Sequence, residues 1–117
     1  MNLLKDKSFN FAIRIVKLCK YLNEEKKELI LSKQILRSGT SIGAMVSESE
    51  HSESKSDFIH KLAIAQKETN ETLYWLKLLY KTDYISQNAY ESINEDALEL
   101  MKIITASIKT AKQGNHY

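Results

Sequence analysis

Between Phe58 and Leu79, apolar or small uncharged residues recur at alternating intervals of four and three: Phe58, Leu62, Ala65, Thr69, Thr72, Leu76 and Leu79. That spacing is the seam of a helix packed between other helices. A second row, one residue back, runs Lys61, Ile64, Glu68, Glu71, Trp75 and Leu78, so charge and a large aromatic flank the seam. The chain has no proline and only three glycines, Gly39, Gly43 and Gly114. It therefore lacks the punctuation that hairpins and tight loops need. An all-α fold follows, and 117 residues of which 43% are hydrophobic support one domain over 1–117 with one core.

Four helices are predicted, over about 8–23, 32–49, 56–81 and 86–112. Ser8 reads as the N-cap of the first, and the run Asn23-Glu24-Glu25-Lys26-Lys27-Glu28 ends its apolar pattern. The apolar sector of this helix is wide: Asn10, Arg14, Lys17 and Tyr21 share one narrow polar sector, while Phe9, Phe11, Ala12, Ile13, Ile15, Val16, Leu18, Cys19 and Leu22 cover most of the rest. A bundle helix needs one apolar stripe, so the excess argues for burial on two sides and for self-association. The second helix carries Leu31, Ile35, Ser38, Ile42 and Met45 as its inward row. Ser38, Gly39, Ser41, Gly43 and Ala44 crowd its middle, which makes sense if a neighbouring helix approaches closely there; the alternative is a break at Gly39, but the apolar register stays in phase across the glycines. Ser54 or Ser56 caps the third helix, and Ser86 the fourth, whose inward row is Tyr90, Ile93, Ala97, Leu100, Ile104, Ile108 and Ala111, with Gly114 just past its end. Short connections make successive helices antiparallel, so the simplest architecture is an up-down-up-down antiparallel four-helix bundle.

An antiparallel turn near Glu53 brings together residues of the second and third helices whose numbers sum to about 106. Arg37 then falls beside Glu68 or Glu71, Glu48 near Lys61, and Gln34 near Thr72 or Glu71. Partly buried charges require partners, so these pairs would fix the register. The competing reading takes Glu68 and Glu71, three apart on one face, as an acid and base. No His, Ser or Cys joins them, and Arg37 offers the simpler explanation.

Glu48 with His51 and Asp57 with His60 each place a carboxylate and a histidine at i and i+3, the spacing of carboxylate-bridged metal bundles. Such sites also need an inward carboxylate from each other helix at the same level, which this chain does not supply, so no metal and no cofactor is expected. The lone Cys19 lies in an apolar stretch and reads as a small buried hydrophobe in a reducing compartment. No nucleophile or phosphate loop stands out, and the expectation is that the protein is not an enzyme. With no apolar run of signal-peptide or membrane-spanning type, it is expected to be soluble and cytoplasmic, with no membrane partner.

The net charge of +2 is unevenly distributed. Residues 1–37 carry nine Lys or Arg against four acids, whereas 38–57 carry one against four. A basic surface on a nearly neutral protein attracts phosphate through its local field; the plainer reading is an ordinary solvated helix face. Tyr21, Tyr74, Trp75, Tyr80 and Tyr84 accompany Lys17, Lys20, Lys77 and Lys81, a mixture able to stack on bases and neutralise phosphates. Trp75 and Tyr80 follow apolar neighbours and read as packed, which leaves the lysines as the better contacts.

The stretches Gln34-Ile-Leu-Arg37-Ser38, Thr40-Ser41-Ile42-Gly43-Ala44 and Glu48, then Phe58, Lys61-Leu62, Ile64-Ala65, Lys67-Glu68, Glu71-Thr72 and Tyr74-Trp75-Leu76, resemble the bacterial four-helix bundle proteins that include those encoded within intervening sequences of 23S ribosomal RNA genes. The likeness covers nearly the whole chain. It departs at Met45, where family members usually carry Asn. The resemblance implies an up-down bundle assembled into a ring-like homo-oligomer, commonly a pentamer, without enzymatic activity established for the family. A related branch, the accessory proteins of diversity-generating retroelements, is similar in fold and binds nucleic acid and a reverse transcriptase through basic oligomer surfaces.

The residues and the resemblance together predict a non-enzymatic homo-oligomeric bundle that binds RNA or DNA, with little sequence readout, through Arg14, Lys17, Lys20, Lys26 and Lys27. The alternative is a protein interaction scaffold in which the same surface docks a partner chain.

Overall fold

A computed structural model of the protein describes residues 2–114; Met1 and residues 115–117 of the expected domain lie outside the described residues. Four helices, α1 (Asn2–Glu24), α2 (Leu31–Ser49), α3 (Lys55–Lys81) and α4 (Gln87–Lys112), form a bundle 47 Å long. α1 packs on α2, α2 on α3 and α3 on α4, and α4 closes the ring against α1 through the slightest of the four contacts. Cross-helix pairs show that neighbours run antiparallel: Gly39 on Ile15 and Gly43 on Ser8, Thr72 on Ser38, Tyr80 on Tyr90, and Asp96 on Arg14.

The seam of α3 is buried along its whole length, from Phe58 to Leu79. Its two threonines satisfy their hydroxyls locally. Thr69 donates to the Ala65 carbonyl at 2.7 Å, and Thr72 Oγ1 lies 2.8 Å from the Glu68 carbonyl and 2.9 Å from Ser38 Oγ. No buried side-chain polar atom among the described residues lacks a partner, as a close-packed core requires.

α1 begins six residues before the expected cap. Ser8 is no N-cap: it lies inside the helix, buried, and donates to the Lys5 carbonyl at 3.1 Å. The reason is Leu4, which extends the buried row Leu4, Ser8, Phe11, Ile15, Cys19 and Leu22 one further turn upstream. α2 runs unbroken through Gly39 and Gly43, but its inward row is Ser32, Ile35, Ser38, Gly39, Ile42, Val46 and Ser49. Leu31 and Met45, expected inside, are only half-buried. The glycines account for this rotation. A Cβ on Gly39 would stand 2.7 Å from Ile15 Cγ1, and one on Gly43 would stand 3.2 Å from the Ser8 carbonyl oxygen, so the small face of α2 turns toward α1.

The start of α2 is capped from upstream by a carboxylate. Its N-cap residue Ile30 has no capping side chain. Instead the buried carboxylate of Glu28 accepts from the backbone N–H groups of Ile30, Leu31 and Ser32 at 3.1, 2.9 and 2.8 Å, which are donors that a helix start leaves open. Lys27, at φ +56, turns the chain into position for it. The other two caps are ordinary serines: Ser54 accepts from Asp57 N and Ser86 from Ala89 N. Gly114, at φ +79, lies just past α4. Six of the seven expected inward residues of α4 are buried, and the seventh, Tyr90, is half-buried and stacks on Tyr80 with ring centroids 4.6 Å apart.

Candidate nucleic-acid interface

The antiparallel order puts the α1–α2 and α3–α4 connections at one end of the bundle. Lys17 and Lys20, on the last two turns of α1, and Lys26 and Lys27, in the connection, are all exposed there. None of the four forms an ion pair among the described residues. The fold adds Lys33 from α2 and Lys77 and Lys81 from α3 to the same end, each exposed. Lys33 was missing from the expected set, which was confined to the first helix and the connection that follows it. The acids at this end are Glu24, Glu25, Asp83 and, near the start of α4, Glu91, all exposed, and Glu28, whose charge is turned inward onto the α2 amides.

Arg14 differs from the other four candidates. Its guanidinium donates to Asp96 Oδ2 at 2.7 Å, to Ser92 Oγ at 3.1 Å and to the Ser92 carbonyl at 3.3 Å, so its charge is spent on joining α1 to α4. Lys7 makes a similar link to Glu99 at 3.0 Å.

The polar pairs of the α2–α3 contact sit away from this surface. Arg37 reaches Glu68 at 3.2 Å and also pairs with Glu71, whose carboxylate in addition accepts from Trp75 Nε1 at 2.9 Å. With both carboxylates engaged, Glu68 and Glu71 serve the helix contact. Lys61 donates to Glu48 at 3.1 Å, and that hydrogen bond and the charge of Glu48 hold the lysine above its ordinary pKa. Gln34 is exposed, and it is Ser38 that meets Thr72 and Arg37 that meets Glu71.

Among the described residues no three His, Cys, Asp or Glu side chains gather in an arrangement that could hold a metal ion. Cys19 is buried, its thiol donating to the Ser32 carbonyl at 3.3 Å. Burial, and then the nearby Glu28 charge, push its pKa up to about 11, which keeps it a thiol and a poor nucleophile at neutral pH. No helix among the described residues is long and apolar enough to cross a membrane.

The outward side of α1 carries an apolar row that the bundle leaves uncovered. Phe9 is 65% exposed, and Ile13 and Val16, four and seven residues on, are 40% and 39% exposed. Leu36 on the adjoining helix is exposed as well. This row lies on a different side of α1 from the core-facing stripe, so within the single chain the wide apolar sector is buried on one side only.

No curated protein matches the chain significantly. Among solved structures, a protein of unknown function from the S23 ribosomal protein family of Bacteroides thetaiotaomicron shares 58% identity, with 93% of this chain and 97% of that chain covered and a TM-score of 0.92. The family model of the 23S rRNA-intervening sequence protein matches residues 2–106. With nearly the whole bundle spanned by that model, the chain belongs to the 23S rRNA-intervening sequence protein family.

Proposed function

We propose that the protein is a non-enzymatic homo-oligomeric bundle, acting in the cytoplasm, that binds RNA or DNA through the lysine-rich end of α1. The observation that carries this reading is the set Lys17, Lys20, Lys26 and Lys27, exposed together at one end and free of intramolecular ion pairs among the described residues. Unpaired cations exchange bound counter-ions for phosphate, and an oligomer multiplies the effect. The apolar stripe Phe9, Ile13 and Val16 supports self-association, and the family resemblance supports a ring, commonly five-fold. Arg14 contributes as a brace between α1 and α4.

A mobility-shift titration of single- and double-stranded probes at several salt concentrations tests the reading. It predicts binding that weakens steeply with salt; no binding at low salt rejects it. Light scattering at micromolar concentration tests the oligomer, and a monomer contradicts it. The same apolar stripe also favours a second reading, a scaffold for a partner protein. A partner retained from the native host after nuclease treatment, with no affinity for purified nucleic acid, would select the scaffold.

A further inference from the structure

The α1–α4 contact is the loosest of the bundle, and between the Arg14–Asp96 pair and the α3–α4 turn it opens into a groove of about 560 Å³. That is within the range of about 300–1,000 Å³ typical of small-ligand sites. Leu18, Ile85, Ala89 and Ile93 form an apolar lining, with Tyr21 and Lys17 beside them. Tyr21 is 42% exposed, so a large part of its surface is open to solvent. No carboxylate lines the groove, and Arg14 at its edge is already neutralised by Asp96. The first turn of α4, beginning at Gln87, adds the positive end of a helix dipole to one wall.

An apolar slot with an aromatic ring and an unpaired cation matches a flat, weakly polar body joined to an anion. A nucleotide has that composition, and its base becomes available to such a slot only when it is unstacked and unpaired. We propose that the groove takes one base of a single-stranded RNA or DNA, stacked on Tyr21 over the apolar lining, with the adjoining phosphate on Lys17. This rests on the nucleic-acid reading above and narrows it to single strands. A duplex would meet only the surrounding lysines, because its bases are held in the stack.

The test compares the affinity of the full-length protein for a short single strand and for a duplex of the same length, at one salt concentration. Three variants are used: Tyr21→Ala, which removes the ring; Tyr21→Phe, which keeps it; and Ala89→Trp, which fills the groove from an exposed position without changing charge. Thermal melts confirm that each is folded. The expected result is that Tyr21→Ala and Ala89→Trp weaken single-strand binding about 5- to 150-fold, the range that loss of one stacked base implies. Tyr21→Phe stays within about twofold of the parent, and duplex binding is unchanged throughout. Single-strand binding indifferent to both Tyr21→Ala and Ala89→Trp overturns the groove assignment alone. Failure of the parent protein to bind either probe at low salt overturns the nucleic-acid reading and the groove with it.

Discussion

Gly39 and Ile15 meet so closely that a Cβ on the glycine would lie 2.7 Å from Ile15 Cγ1 and 2.9 Å from Cγ2. Ile15 is fully buried and has little freedom to retreat. Gly39→Ala would gain about 1 kcal/mol of helix propensity. Against that stands overpacking of about 1–3 kcal/mol. The expected outcome is a net loss of stability, read as a lowered denaturant midpoint with an unchanged slope. Ile15→Ala removes every atom involved in the clash, so it should cost less in the Gly39→Ala background than alone, where it costs about 2–5 kcal/mol. Simple additivity would show that the contact does not limit the approach of α1 and α2.

The Glu28 cap makes part of the stability depend on pH. Burial alone raises the pKa of this carboxyl, but the N–H groups of Leu31, Ser32 and Ile30 and the Ser32 hydroxyl outweigh it, and the net result is a value below the ordinary 4.5. A folded-state pKa below the unfolded one gives stability that is fully present above about pH 4.5 and is lost as pH falls through the lower folded value. Glu28→Gln keeps a neutral acceptor and should flatten this acid limb of the stability profile. Glu28→Ala should also cost about 0.5–2 kcal/mol at neutral pH, as lost caps do. Chemical denaturation at a series of pH values checks both, and an acid limb unchanged in Glu28→Gln would assign it to other carboxylates.

Cys19 reports on opening of the α1–α2 contact. Because the thiol is buried and its pKa is raised to about 11, alkylation by iodoacetamide at pH 8 should be slow in the native protein and rapid in denaturant. Gly39→Ala, which loosens the same contact, should speed native-state labelling. Fast labelling of the parent protein would contradict the burial.

Arg37 uses two guanidinium nitrogens on two carboxylates, Nη1 on Glu68 and Nη2 on Glu71. A lysine cannot span both in this way. The Arg37 side chain is half exposed, so solvent screening limits its worth to at most about 1 kcal/mol. Arg37→Ala should lose most of that amount and Arg37→Lys should recover only part. Trp75 fluorescence should shift in Arg37→Ala, because the indole N–H shares the Glu71 carboxylate. Full recovery by lysine would show that one contact suffices.

How far the fold could be read from the chain depended on what each signal measures. The four-and-three spacing of α3 measures burial directly, and all seven of its residues are buried. The approximate α2–α3 register also followed, because a short turn leaves few ways to align two long helices. The start of α1 was misplaced because Ser8 follows Lys5-Asp6-Lys7 and looks like a cap, whereas Leu4 extends the buried row past it. Glu28 was read only as the last residue of the polar run that ends the first helix; its geometry depends on the left-handed turn at Lys27. The Arg14–Asp96 pair joins residues 82 apart in sequence and needs the rotations of both helices, which periodicity leaves open. The groove beside it was hidden for the same reason.

Contact between phosphate and the lysines at the end of α1 is read most directly from the salt dependence of nucleic-acid affinity in a charge variant. Each phosphate contact contributes about −0.9 to the slope of log K against log salt for duplex DNA and about −0.7 for single strands. Lys17→Gln, Lys20→Gln, Lys26→Gln and Lys27→Gln in one chain should lower affinity and flatten that slope by roughly one such increment for each lysine in contact. Lys102→Gln and Lys109→Gln, exposed on α4, should change neither. Binding by the four-lysine variant with the slope of the parent protein would contradict the claim.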